Sequence, residues 1–177
     1  MKGFDSYTKA VQLGANPHFE KLLEPLGYYV ESVSIHRSLI QLCSIIRSLD
    51  LDTLKKAHVW FGYAPHLLKL TIFDGFILDY ASVPRPGWVV ISPKEIRRPA
   101  AFHDALYRAV NNLRKLRIIT RSQRSEFRYQ ADRLFREQME HVEPSLPRWK
   151  KVTAYRFVRL FGGFTTAQNY EHLRNEN

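Results

Sequence analysis

A single cysteine, Cys43, in 177 residues excludes an intramolecular disulfide. That removes the stapled secreted folds, which lack a core of their own, though not a protein of a virus particle outside the cell. Long apolar runs are also missing. No stretch approaches the roughly 20 residues needed to cross a bilayer, and Met1 to Asp5 lack the apolar segment of a secretory signal. Acidic residues are scarce, 17 against 27 basic ones, so the net charge is +10. This excess favours anionic partners, a phospholipid surface or nucleic acid. The charges are dispersed, however. Arg97 and Arg98, then Arg114, Lys115 and Arg117, then Arg121, Arg124 and Arg128, then Arg148, Lys150 and Lys151 lie in four segments. None matches a nucleic-acid module, and a solvated basic face explains them equally well. What remains, 45% hydrophobic and 25% charged residues, is globular composition, enough for one core domain with an N-terminal extension.

Gly14, Pro17, Pro25 and Gly27 interrupt any periodic pattern in the first thirty residues. Apolar positions 35, 39, 42, 43, 46 and 49 then predict a helix over 35–49 with a broad apolar stripe. From Leu67 the pattern changes to alternation: Leu68, Leu70 and Ile72 predict a strand. Asp74-Gly75 is a turn signal, and Phe76 to Leu78 can return as the second strand of a hairpin. Ser82 to Gly87 contains two prolines without amide donors and reads as an ordered loop. Pro99 suits the first turn of a helix whose face carries Phe102, Leu106, Val110 and Leu113. Thr120 and Gln123 form a capping box for a second helix, to about Glu140, with Phe127, Ala131, Leu134 and Phe135 inward. A third helix, Arg148 to Phe161, is expected to bury Trp149, Val152, Tyr155 and Val158, and Gly162-Gly163 ends it. Cys43 reads as a buried small hydrophobe.

His103 and Tyr107 are four residues apart, so they share one edge of the first of these helices, and Asp104 is turned away from it. Asp132 flanks the stripe of the second helix. Antiparallel packing lets His103 and Asp132 meet at the seam. A carboxylate accepting the imidazole N–H fixes the tautomer and raises the basicity of the other nitrogen, which can then activate water. Asp104 can offer oxygen to a hard cation. The alternative is structural: a His-Asp pair at a helix start hydrogen-bonds a neighbouring loop, and Asp79 and Ser82 fix the Ser-Val-Pro loop through backbone amides. His18, His36, His58, His66, His141 and His172 show no paired metal-ligand spacing.

Asp79-Tyr80-Ala81-Ser82-Val83-Pro84-Arg85, followed by His103-Asp104-Ala105-Leu106-Tyr107, resembles a family of phage and bacterial proteins, the domain-of-unknown-function 1353 family. Gly75-Phe76, Ala131-Asp132, Phe135, Met139, Tyr155 and Phe161-Gly162 continue that resemblance, which covers about residues 67–163 and implies a phage or prophage origin without an established activity. A second resemblance is mechanistic. His-Asp-x-x-Tyr on one helix with an Asp on a facing helix is similar to phospholipase A2. It implies that His103 activates water, Asp132 orients it, Tyr107 supports the hydrogen bonding, and Asp104, with Asp79, holds a divalent cation such as calcium. Gly75 and Gly87 do not reproduce the glycine-rich loop that completes the calcium shell in those enzymes, so calcium affinity is expected to be weak.

The expected architecture is α+β: a small β-hairpin region followed by three packed helices, with a mainly helical N-terminal extension. Residues 1–66 form that extension, 67–163 the His-Asp domain and 164–177 a tail. Two functions follow. One is a phage or prophage hydrolase acting through His103. The other is a non-catalytic virion component or host-interaction protein in which the cluster braces the fold. The extension would then bind other phage proteins or a second copy. The setting is the virion or the bacterial host cytoplasm. A metal-dependent phosphohydrolase is a further alternative, with His58 and His66 the upstream candidates for another histidine donor.

Overall fold

The computed structural model describes residues 3–5, 10–12, 20–78, 91, 92 and 94–161. The fold is α+β. Short strands Gly3–Phe4 (β1), Ala10–Gln12 (β2), Glu20–Leu22 (β3) and Leu26–Tyr29 (β4) precede two helices, Val33–Arg47 (α1) and Leu51–Ala57 (α2). Strands Phe61–Ala64 (β5), Lys69–Ile72 (β6) and Ile77–Leu78 (β7) follow, then helices Arg97–Lys115 (α3), Arg121–Gln138 (α4) and Arg148–Phe161 (α5).

The alternation from Leu68 to Ile72 yields β6, but its partners are not those expected. β6 lies inside an antiparallel sheet of order β1-β4-β6-β5, and β7 joins a separate antiparallel sheet of order β2-β3-β7. The hairpin is therefore β5–β6, closed by one 3-10 turn at Pro65–Leu67. Asp74-Gly75 does turn the chain, with Gly75 at φ 78°, a conformation open to glycine at no steric cost. The turn redirects β7 onto β3: the Gly75 amide donates to the Leu22 carbonyl at 2.8 Å and the Leu22 amide to the Phe76 carbonyl at 2.9 Å. The N-terminal region is thus mixed, and its strand β4 pairs with β6 over four residues, Leu26 with Ile72 through Tyr29 with Lys69.

α3 is the central helix. Pro99 through Tyr107 and Ala109 through Leu113 are buried. One core joins β4, α1, β6, α3 and the inner face of α4 through Tyr28, Ile35, Leu39, Leu70, Phe102 and Leu134. A second core, with Phe135, Met139, Val142, Ala154 and Val158, lies between α4 and α5. α4 serves both, because successive residues Leu134 and Phe135 lie about 100° apart on the helix. The capping box is present: Thr120 Oγ1 accepts from the Gln123 amide and Gln123 Oε1 from the Thr120 amide. α5 faces the core differently from expectation. Val158 and Ala154 are buried and Tyr155 is half-buried, whereas Trp149 is 59% exposed and Val152 is exposed.

Candidate functional site

α3 and α4 run antiparallel across the short connection Leu116 to Thr120, and the residues that meet across the seam show it. His103 and Tyr107 reach Asp132, while Asn111 reaches Arg124, so α3 positions rise as α4 positions fall. His103 Nε2 lies 2.8 Å from Asp132 Oδ1. The Tyr107 hydroxyl donates to the same oxygen at 2.6 Å. Arg159, from α5, donates through Nη1 to Oδ2 at 2.7 Å. The His103 ring stacks tilted on Tyr107, centroids 4.0 Å apart, and meets Phe135 edge-on at 5.5 Å.

His103 and Asp132 are each 1% exposed. Burial acts to raise the Asp132 carboxyl, but the donors from His103, Tyr107 and Arg159 outweigh it and hold the group below its ordinary range. The carboxyl is therefore ionised at neutral pH and can only accept. Nε2 of His103 must carry the hydrogen of that bond, which leaves Nδ1 as the basic nitrogen of the neutral ring. Tyr107 is pushed well above its ordinary value, first by burial and then by the Asp132 carboxylate, with the Arg128 guanidinium opposing. It stays a protonated donor. The arrangement orients one imidazole in a site with low dielectric and three directional contacts.

The structure brings three of the expected site residues together, His103, Tyr107 and Asp132. Asp104 is buried, at 4% exposure, and has partners of its own. Asp79 and Ser82 lie outside the described residues. Of the alternative histidine donors, His58 caps the end of α2 in the left-handed region and His66 is exposed in the 3-10 turn. Among the described residues no three His, Cys, Asp or Glu side chains are grouped to hold a metal ion. Asp104 by itself falls far short of the 6–8 oxygens calcium takes, so the described donor set does not fit that ion.

Sequence reasoning missed two residues of the site. Arg159 comes from a helix whose distance along the chain gives no hint that it closes on Asp132. Arg128 lies over the Tyr107 ring, 4.7 Å from its centroid; its four-residue spacing from Asp132 on α4 is the clue that could have found it.

No curated protein and no solved structure matches the chain at a significant level. A family described as "Protein of unknown function (DUF1353)" matches residues 56–158, from the end of α2 to α5, a span that includes the whole described His103–Tyr107–Asp132 cluster. The chain belongs to the DUF1353 family.

Proposed function

We propose that this chain is a hydrolase of phage or prophage origin in which His103 acts as the general base. The observation that carries the reading is the pair of bonds on one Asp132 oxygen, from His103 Nε2 at 2.8 Å and Tyr107 at 2.6 Å. They fix the ring and its tautomer, which a water-activating imidazole requires. In the step, Nδ1 takes a proton from water as the oxygen attacks the carbonyl carbon of an ester. The imidazolium then returns that proton to the departing alkoxide, so acid, alcohol and neutral ring result. The resemblance to phospholipase A2 makes a phospholipid ester the first substrate to try, and the basic charge of the chain suits such an anionic surface.

A second reading is favoured by one observation, the closure of charge around Asp132 by Arg159 together with the burial of His103. On that reading the cluster braces three helices in a virion component or host-interaction protein, found in the particle or the host cytoplasm. Its partners are then other phage proteins or a second copy.

His103→Asn separates the two. If His103 is the base, hydrolysis of phospholipid vesicles falls about 100- to 10,000-fold while melting changes little. A wild-type protein without turnover, together with a variant that melts lower, would sink the hydrolase and leave the brace.

A further inference from the structure

The α3–α4 seam continues beyond the His103–Asp132 pair as a ladder of polar residues. Along α4, Asp132, Arg128 and Arg124 are one turn apart; along α3, His103, Tyr107 and Asn111 are one turn apart. Arg128 lies over Tyr107, and Arg124 Nε donates to Asn111 Oδ1 at 2.9 Å. Arg114, in the last turn of α3, donates through Nη1 to the Ile119 carbonyl at 3.2 Å.

The two ends of this ladder differ in charge balance. At one end Asp132 is matched by Arg159. At the other, Arg114, Arg124 and Arg128 are all half-buried, and none pairs with a carboxylate among the described residues. Glu126, on the same helix, is instead engaged by Gln130 Nε2 at 2.8 Å. Arg128 Nε is buried and has no hydrogen-bond partner among the described residues. Burial, and next the charges of Arg128 and Arg114, pull the Arg124 guanidinium below its ordinary value. Like charges gathered in a partly dry site are stabilised by an anion from outside. Guanidinium forks match the oxygens of a phosphate geometrically, two N–H donors to two oxygens.

We propose that Arg114, Arg124 and Arg128 form a binding site for a phosphate group, as the free dianion or a phosphate monoester. It lies at the α3–α4 seam and begins, at Arg128, one turn of α4 from the His103–Asp132 pair. The site stands whether or not His103 activates water, because its readout is binding and not turnover.

The test uses the full chain at matched ionic strength. Calorimetry and melting are measured against inorganic phosphate, glycerol 3-phosphate, and phosphatidylcholine vesicles with or without phosphatidic acid. Saturable binding of the two soluble phosphates is expected. Arg124→Gln should weaken it by about tenfold or more, the worth of one charge-assisted bond. In phosphate-free buffer the same variant should melt no lower than wild type, since glutamine can still donate to Asn111 and a like-charge repulsion is gone. Arg128→Gln is the second variant, should the first fail to fold. Arg148→Gln, on α5, should bind as wild type does, and so should His103→Asn, which keeps this outcome apart from that of the hydrolysis test. Vesicle binding that needs both phosphatidic acid and Arg124 identifies the phosphate as a lipid headgroup; binding of the soluble compounds alone identifies a free one. Absence of saturable binding to all of these, or equal affinity in wild type and Arg124→Gln, overturns the proposal.

Discussion

Asp132 concentrates the energetics of the site, because α3, α4 and α5 all close on its two oxygens. A buried carboxylate is costly unless several donors meet it, and removing one partner of a buried pair typically costs about 3–5 kcal/mol. Arg159 is itself 43% exposed, so Asp132→Asn strands no buried charge. The neutral amide is a weaker acceptor for His103, Tyr107 and Arg159, and we expect a smaller loss, about 1–3 kcal/mol, in urea unfolding at pH 7. The pH dependence has a definite sign. The folded-state value lies below the ordinary 3.8, so the stabilisation is present above the unfolded value and is lost as pH falls through the folded one. The gap between wild type and Asp132→Asn should therefore narrow below about pH 4. A gap that widens on acidification would contradict the assignment of an ionised Asp132. At this scale the sequence was legible where chemistry and helical spacing coincide: four residues separate His103 from Tyr107, and both reach Asp132. Arg159 was illegible, since its contact depends on how α5 lies across α4, and no spacing within one helix encodes that.

At the scale of elements, α1, α3, α4 and α5 were readable, whereas α2 and the strand partners were not. Thr120 and Gln123 supply a local signal that needs no tertiary information, and both of its hydrogen bonds are present. Thr120→Ala should cost about 1 kcal/mol in urea unfolding. A much larger loss would mean that Thr120 does more than cap. β7 is two residues long, too short for alternation to show which sheet receives it, and its pairing with β3 is a contact distant in sequence. α5 shows a different limit. Its apolar residues fall on two arcs, one with Trp149, Val152 and Leu160 and the other with Ala154 and Val158. The expected face mixed the two, taking Trp149 and Val152 together with Tyr155 and Val158. The close approach of α5 to α4 instead selects the arc with the smaller residues, and a folded surface tolerates exposed apolar groups. Phe135→Ala, in the core between these helices at 0% exposure, should cost about 3–5 kcal/mol. Trp149→Ala should stay within about 0.5 kcal/mol. Equal losses from the two would mean that α5 docks by its other face.

For the whole molecule, the question is whether residues 1–60 are an appendage or part of the body. The motif-bearing region begins later, and nothing local in the first sixty residues announces their role. Their packing does. β4 occupies an interior place in the four-stranded sheet, and without it β6 would lose its partner on one side and become an edge. Tyr28, Ile35, Leu39 and Leu42 share a core with Leu70, Phe102 and Leu134. Burying each such side chain is worth about 1.5–3 kcal/mol, against a net stability for a domain of roughly 5–15 kcal/mol. Polar ties act in the same sense. Glu137 of α4 accepts from the Tyr28 hydroxyl at 3.1 Å and from the amides of Glu31 and Ser32 at 2.9 and 3.0 Å, fastening the β4–α1 junction. Arg133 of α4 donates to Ser34 Oγ at 2.5 Å. Removing residues 1–60 would strip the cover from the inner faces of α3 and α4 and leave Glu137 without these partners. We expect the truncated chain to lose its cooperative urea transition and near-UV circular dichroism while keeping much of its helical signal, since α3 to α5 remain. A truncated protein that unfolds in one sharp transition would show that residues 61–177 fold alone, and would return the first sixty residues to the role of a partner-binding arm.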